Sequence, residues 1–248
     1  MTERLYLRIL NCIFAVLQCA LLAIPGVGDI PIDQTFQRAN TPQPRIVPSD
    51  YAFAIWLPIF AGSIIYAFYS LINNHSQMKL SNKIATYALG VFISGSIYDI
   101  VARFYVTNPL TAIAYIPTLY FLIRILIIIS SYPRAKDIDY WLTVPAFGLY
   151  AGWSSIAISV NIASSLQYYG YDGYPVGEKF MSVVGIIIVL TTALAIYNRT
   201  KNNWYWLAVM WAFIGIMISS INLNYNDVFI FASLAIIVFG STPFFLKM

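Results

Sequence analysis

Charge is what this chain has least of. Asp, Glu, Lys and Arg together supply 10% of its 248 residues, against about 25% in a soluble domain. With 60% hydrophobic residues and a mean hydropathy of +0.72, a water-soluble fold would lack the polar surface to cover its core. Histidine is almost missing as well. His75 is the only one, which argues against a histidine-based triad or a multi-histidine metal site. The two cysteines, Cys12 and Cys19, share one apolar segment and have no companion ligands. They are expected to pack as small apolar groups. No lysine lies in the middle of an apolar run, which argues against a retinal Schiff base. No glycine-rich phosphate loop is present. The net charge of +4 is not gathered on a polar domain, so nucleic-acid binding is not expected.

What the chain does have is long, continuous apolar runs. A bilayer takes about 20 such residues per helix, whereas a membrane β-barrel shows short alternating segments. The pattern predicts an all-α, polytopic transmembrane bundle of about eight helices in one integral membrane domain, 1–248. The helices are placed at roughly 6–25, 51–73, 84–105, 109–131, 138–163, 179–198, 203–221 and 226–246. The first is expected to be a retained helix rather than a cleaved signal peptide, because its apolar run is long for a signal. Eight spans put Arg4, Arg8, Lys79, Lys83, Arg134, Lys136, Arg199, Lys201 and Lys247 on one side, and Arg38, Arg45, Arg103 and Lys179 on the other. That bias assigns both termini to the cytoplasmic side. The sequence does not distinguish a plasma or inner membrane from an organelle membrane.

Ionisable groups inside a bilayer are costly and therefore informative. Asp99 and Arg103 stand four apart on the third helix, in its outer part, where they share a face and can pair. Arg124 lies in the inner half of the fourth helix, either snorkelling to the headgroups or lining a cavity. On the fifth helix Gly148, Gly152, Ser155 and Ser159 form a face that lets another helix approach closely. Trp153 and Asn161 fall on the neighbouring face. Phe53, Trp56 and Phe60 share one face of the second helix. Pro58, Pro117, Pro145 and Pro243 lie within spans and are expected to bend them.

Three segments also carry a resemblance. PSDYAFAIWLPIF at 48–60 resembles the entry to the second helix of the tryptophan-rich sensory protein family, which is related to the translocator protein, or peripheral benzodiazepine receptor. PAFGLYAGWSSIAISVN at 145–161 and WYWLAVMWAFIGI at 204–216 are similar to the fifth and penultimate helices of the larger members. The small members have five helices and carry tryptophans where Tyr51 and the Tyr98–Asp99 pair stand here. The resemblance implies a pocket among the first helices, capped by the loop at 26–50. Relatives take tetrapyrroles, sterols and synthetic aromatic ligands there, and a bound tetrapyrrole is the one cofactor it offers. Phe53, Trp56 and Phe60 would be pocket aromatics, while Trp153 and Asn161 match the pattern of the larger members without an implied ligand contact.

The leading expectation is a sensor or carrier that binds an apolar or amphipathic small molecule in an outer-half pocket made by Phe53, Trp56, Phe60, Asp99, Arg103, Trp153 and Asn161. One alternative is a secondary transporter using Asp99 and Arg124. Another is a membrane enzyme with Asp99 and Asp227 as acid or base. A homo-oligomer joined through the Gly148/Gly152 face is the remaining expectation for partners beyond the lipid bilayer.

Overall fold

A computed structural model describes residues 2–23, 44–72, 79–104, 108–132, 137–171 and 174–245. The described residues form eight α-helices: α1 (Thr2–Ala23), α2 (Trp56–Ile72), α3 (Lys79–Phe104), α4 (Pro109–Ser130), α5 (Ile138–Tyr168), α6 (Glu178–Thr200), α7 (Asn203–Asn222) and α8 (Asn226–Phe245). A 3-10 turn, Asp50–Ile55, leads into α2. Seven helical stretches are long and apolar enough to cross a membrane, and the apolar stretch of α1, Leu5–Leu21, is shorter. Of the expected capping loop, residues 44–50 are described. The rest of it, with Arg38, lies outside the described residues, as do His75, Arg134, Lys136 and Lys247.

The helix starts follow from local chemistry. Asn108 caps α4 by accepting from Leu110 N at 3.0 Å, with Pro109 in the first helical position, where no N–H is needed. Asn202 caps α7 by accepting from Trp204 N and Tyr205 N at 2.9 and 3.0 Å. Pro58 is tolerated in the same way in the first turn of α2, so the bend expected there does not require a broken mid-helix bond. Pro117, Pro145 and Pro243 are inside α4, α5 and α8.

Helix α5 is the axis of the bundle. Its most apolar window is 67% buried, against 22–44% for the other spans. It packs on α2, α3, α4, α6 and α7, while α1 lies on α2 and α3, and α8 on α6 and α7. The approach of α7 is set by small residues. A Cβ on Gly152 would stand 2.5 Å from Tyr205 O and 2.7 Å from Ala208 Cβ, and one on Gly148 would stand 2.7 Å from Trp204 Cβ. The helix that uses the Gly148/Gly152 face is therefore α7 of the same chain, which leaves that face covered.

At the end of the bundle where α3 and α5 begin, a carboxylate stitches two helices together. Asp139 in the first turn of α5 is fully buried. It accepts from Leu80 N at 2.8 Å, from Ser81 N at 3.3 Å and from Ser81 Oγ, so it serves the first turn of α3 as an N-terminal acceptor. Asp139→Ala would leave those donors buried without a partner, at about 1–3 kcal/mol each. We expect a large fall in the unfolding temperature of the detergent-solubilised protein. Asp137→Ala, which removes an exposed cap on Tyr140 N, should cost only about 1 kcal/mol.

Candidate functional site

The 3-10 turn and the segment before it pack against the middle of α7 and the start of α8. Ser49 N and Oγ both donate to Gly215 O of α7, at 3.0 and 3.1 Å. Trp211 Nε1 donates to Ala52 O at 2.8 Å. Arg45 pairs with Asp227 at the start of α8 and lies over the Tyr225 ring, 4.1 Å from its centroid. These contacts aim the aromatic face of the turn and of α2 at α5.

The aromatics expected on α2 and α5 do meet. Trp56 stacks on Phe60 with centroids 5.0 Å apart, and it meets Tyr150 edge-on at 5.7 Å and Trp153 at 6.3 Å. Phe53 meets Trp153 edge-on at 5.4 Å. Edge-on and offset pairs of this kind contribute about 0.5–1.5 kcal/mol each beyond burial.

Tyr150 joins this aromatic wall to a polar centre. Gln18 of α1 donates from Nε2 to Tyr150 OH at 2.6 Å. Gln18 also hydrogen-bonds Asp99 of α3, and Arg103, one turn further on, attracts the same carboxylate. The space for Gln18 exists because position 95 is glycine: a Cβ there would stand 2.8 Å from Gln18 Cδ and 2.9 Å from Tyr150 OH. Two acceptors in this centre, Gln18 Oε1 and Asp99 Oδ2, are buried without a hydrogen-bond partner. Beside it, Asn161 Nδ2 donates to Tyr98 OH at 3.3 Å, Tyr98 packs on Tyr115 at 4.2 Å, and Tyr115 OH bonds Ser154 Oγ at 2.9 Å.

Phe53, Trp56, Phe60 and Trp153 thus form one wall, and Tyr150 links it to the centre holding Asp99. Asn161 stands in the adjoining layer. Arg124 does not join them. It is exposed in the C-terminal half of α4, donating to Tyr87 OH at 3.3 Å with its guanidinium 5.4 Å from the Tyr87 ring. Asp99 and Arg124 are therefore not brought together, and the contacts of Arg124 are with Tyr87. Asp227 is held by Arg45 at the head of α8, not beside Asp99. Gln18, Gly95 and Tyr150 were not singled out in the sequence. Gln18 carries the clearest signal, being an amide inside an apolar helix.

Eight helices, seven of them with spans long enough to cross a bilayer, and an interior polar centre define a multi-pass α-helical membrane protein. The chain belongs to the TSPO-like protein family, whose model matches residues 8–245. No curated protein and no solved structure is found to match it.

Proposed function

We propose that this protein binds an amphipathic small molecule of the tetrapyrrole class among α1, α2, α3 and α5, as a sensor or carrier. The observation that carries this reading is the pair of buried, unpartnered acceptors, Gln18 Oε1 and Asp99 Oδ2, close to the Trp56–Tyr150 wall. A buried acceptor left unmade costs about 1–3 kcal/mol, so a ligand that brings donors recovers that cost. Pyrrole N–H groups are such donors, and the flat macrocycle suits aromatic faces. A sterol brings one hydroxyl proton and no aromatic face, and is expected to bind more weakly. Membership of the TSPO-like family supports a ligand of this kind.

The test is a porphyrin titration of the purified protein, followed by quenching of tryptophan fluorescence. Trp56→Ala and Trp153→Ala should each weaken binding about tenfold, the equivalent of about 1.4 kcal/mol. Asp99→Asn replaces an acceptor by an amide and should weaken it by a similar factor. Unchanged affinity in all three variants would remove the site.

A further inference from the structure

The two flanks of the bundle begin at different levels along α5. Asp139, in the first turn of α5, accepts from Leu80 N and Ser81 N, so α3 begins level with the start of α5. Helix α7 begins further along. A Cβ on Gly148 would stand 2.6 Å from Asn202 Oδ1 and 2.7 Å from Trp204 Cβ, and Gly152 lies against Tyr205 and Ala208. The turn between α6 and α7 is therefore level with position 148, ten residues after Ile138. At 1.5 Å per residue this is a step of about 15 Å. The opposite ends are level. Gln167, near the end of α5, donates to Glu178 at the start of α6 at 3.3 Å, and Asn161 meets Tyr98, six residues before the end of α3.

Both edges of the step carry the residues of a bilayer boundary. Toward the start of α5, an apolar collar of Leu5, Ile9, Phe68, Ile72, Ile138 and Trp141 is exposed. Ile9 is level with the first turns of α3, since Arg8 donates to Asn82 and Asn11 to Ala85 O. Helix α2 runs opposite to α5: Phe53 meets Trp153, and a Cβ on Gly62 would stand 3.0 Å from Ala146 Cβ. Phe68, six residues past Gly62, therefore lies toward the start of α5. On the step itself Arg199 and Lys201 are exposed, and residues 198–203 include no acid. Trp204 and Trp206 follow in the first two turns of α7, half-buried, as Trp141 does in the first turn of α5. Tryptophan gathers where hydrocarbon meets headgroups, so boundary residues stand at both levels.

We infer that the bilayer follows the step. Phospholipid headgroups rise about 15 Å on the α6–α8 flank, where Arg199 and Lys201 take their phosphates, while hydrocarbon covers the collar of α1, α2 and α5. The 20 residues of α7 measure about 30 Å, the thickness of an ordinary hydrocarbon core, whereas the 26 residues of α3 measure about 39 Å. A flat boundary fails at one edge or the other. Drawn at the collar, it puts two cations in hydrocarbon. Drawn at the turn, it leaves a band of large apolar side chains in water. Tilting the bundle only moves the step to the opposite face, because the far ends are level. A thinned bilayer costs a fraction of a kilocalorie per ångström of mismatch, and pairing the ledge cations with phosphate offsets it. Lipids with net negative heads should be preferred there.

The experiment uses the full chain, with Cys12 and Cys19 changed to Ala, in mixed phosphatidylcholine and phosphatidylglycerol vesicles. Single spin labels on Ile9→Cys, Phe68→Cys and Asn198→Cys are read for collision with oxygen, which concentrates in hydrocarbon, and with a nickel chelate, which stays in water. The labels at 9 and 68 should meet oxygen and exclude nickel. The label at 198 should meet nickel, although it stands nearer the middle of α5. A phosphatidylglycerol with a photoreactive head should also crosslink to the 198–206 peptide. Arg199→Gln and Lys201→Gln should each cut that crosslinking about fivefold. Nickel access at 9 and 68 would show that the collar projects from a flat bilayer, and nickel exclusion at 198 that the turn is sunk in hydrocarbon. Either result, or crosslinking unchanged in the Gln variants, would overturn the proposal.

Discussion

Adding one methyl group at Gly152 is expected to be among the most damaging small changes in the protein. The new Cβ would stand 2.5 Å from the backbone oxygen of Tyr205 and 2.7 Å from Ala208 Cβ. Neither can rotate away, since one is main chain and the other is the whole side chain of an alanine. The only relief is to move α7 off α5, which would also loosen the bond from Tyr205 OH to Ser155 Oγ at 3.2 Å. Overpacking costs about 1–3 kcal/mol, sometimes more, and a rigid neighbour puts Gly152→Ala at the upper end. The informative comparison is Gly185→Ala. There the nearest atom is Ile46 Cδ1 at 3.4 Å, an ordinary contact. Alanine in a helix is favoured over glycine by about 0.5–1 kcal/mol. Thermal unfolding in one detergent should therefore show shifts of opposite sign, down for Gly152→Ala and level or up for Gly185→Ala.

Gly95→Ala should spare the fold and lose the ligand. Its Cβ would meet Gln18 Cδ at 2.8 Å and Tyr150 OH at 2.9 Å, both parts of side chains rather than backbone. Gln18 can swing aside, so the bundle survives. What goes with it is the bond to Tyr150 OH, the bond to Asp99 and the placing of the open Oε1. Losing one or two positioned hydrogen bonds to a ligand corresponds to roughly 10–100-fold in affinity. Porphyrin titration of Gly95→Ala, beside an unfolding curve that stays cooperative and is lowered by about 1–3 kcal/mol for each buried hydrogen bond lost, checks both halves of the expectation. A protein with full affinity would show that Gln18 takes no part.

The bundle was largely legible in the sequence because a bilayer imposes one dominant rule. Every span must be apolar and must satisfy its own backbone, so hydropathy alone places the eight helices close to where they lie. The meeting of Phe53, Trp56, Phe60 and Trp153 was legible too, from helical spacing and from the family's motifs. Three things were not. Asp139 looks like an ordinary cap-region acid, and only the packing of α5 against α3 turns it into an acceptor for Leu80 N and Ser81 N. The Gly148/Gly152 face announces a close approach but not whose helix makes it. Gln18 and Asp99 lie in different helices with no periodicity to join them, and their contact depends on the absent side chain at Gly95. Arg124 shows the reverse case: a charge in a span draws attention, yet its partner is Tyr87 at the surface.

The most direct measurement is the structure of the protein with a porphyrin bound. The pyrrole N–H edge should lie against Gln18 Oε1 and Asp99 Oδ2, with Trp56 beside the macrocycle. A porphyrin seated elsewhere on the protein, with Gln18 and Asp99 unmoved, would contradict the account.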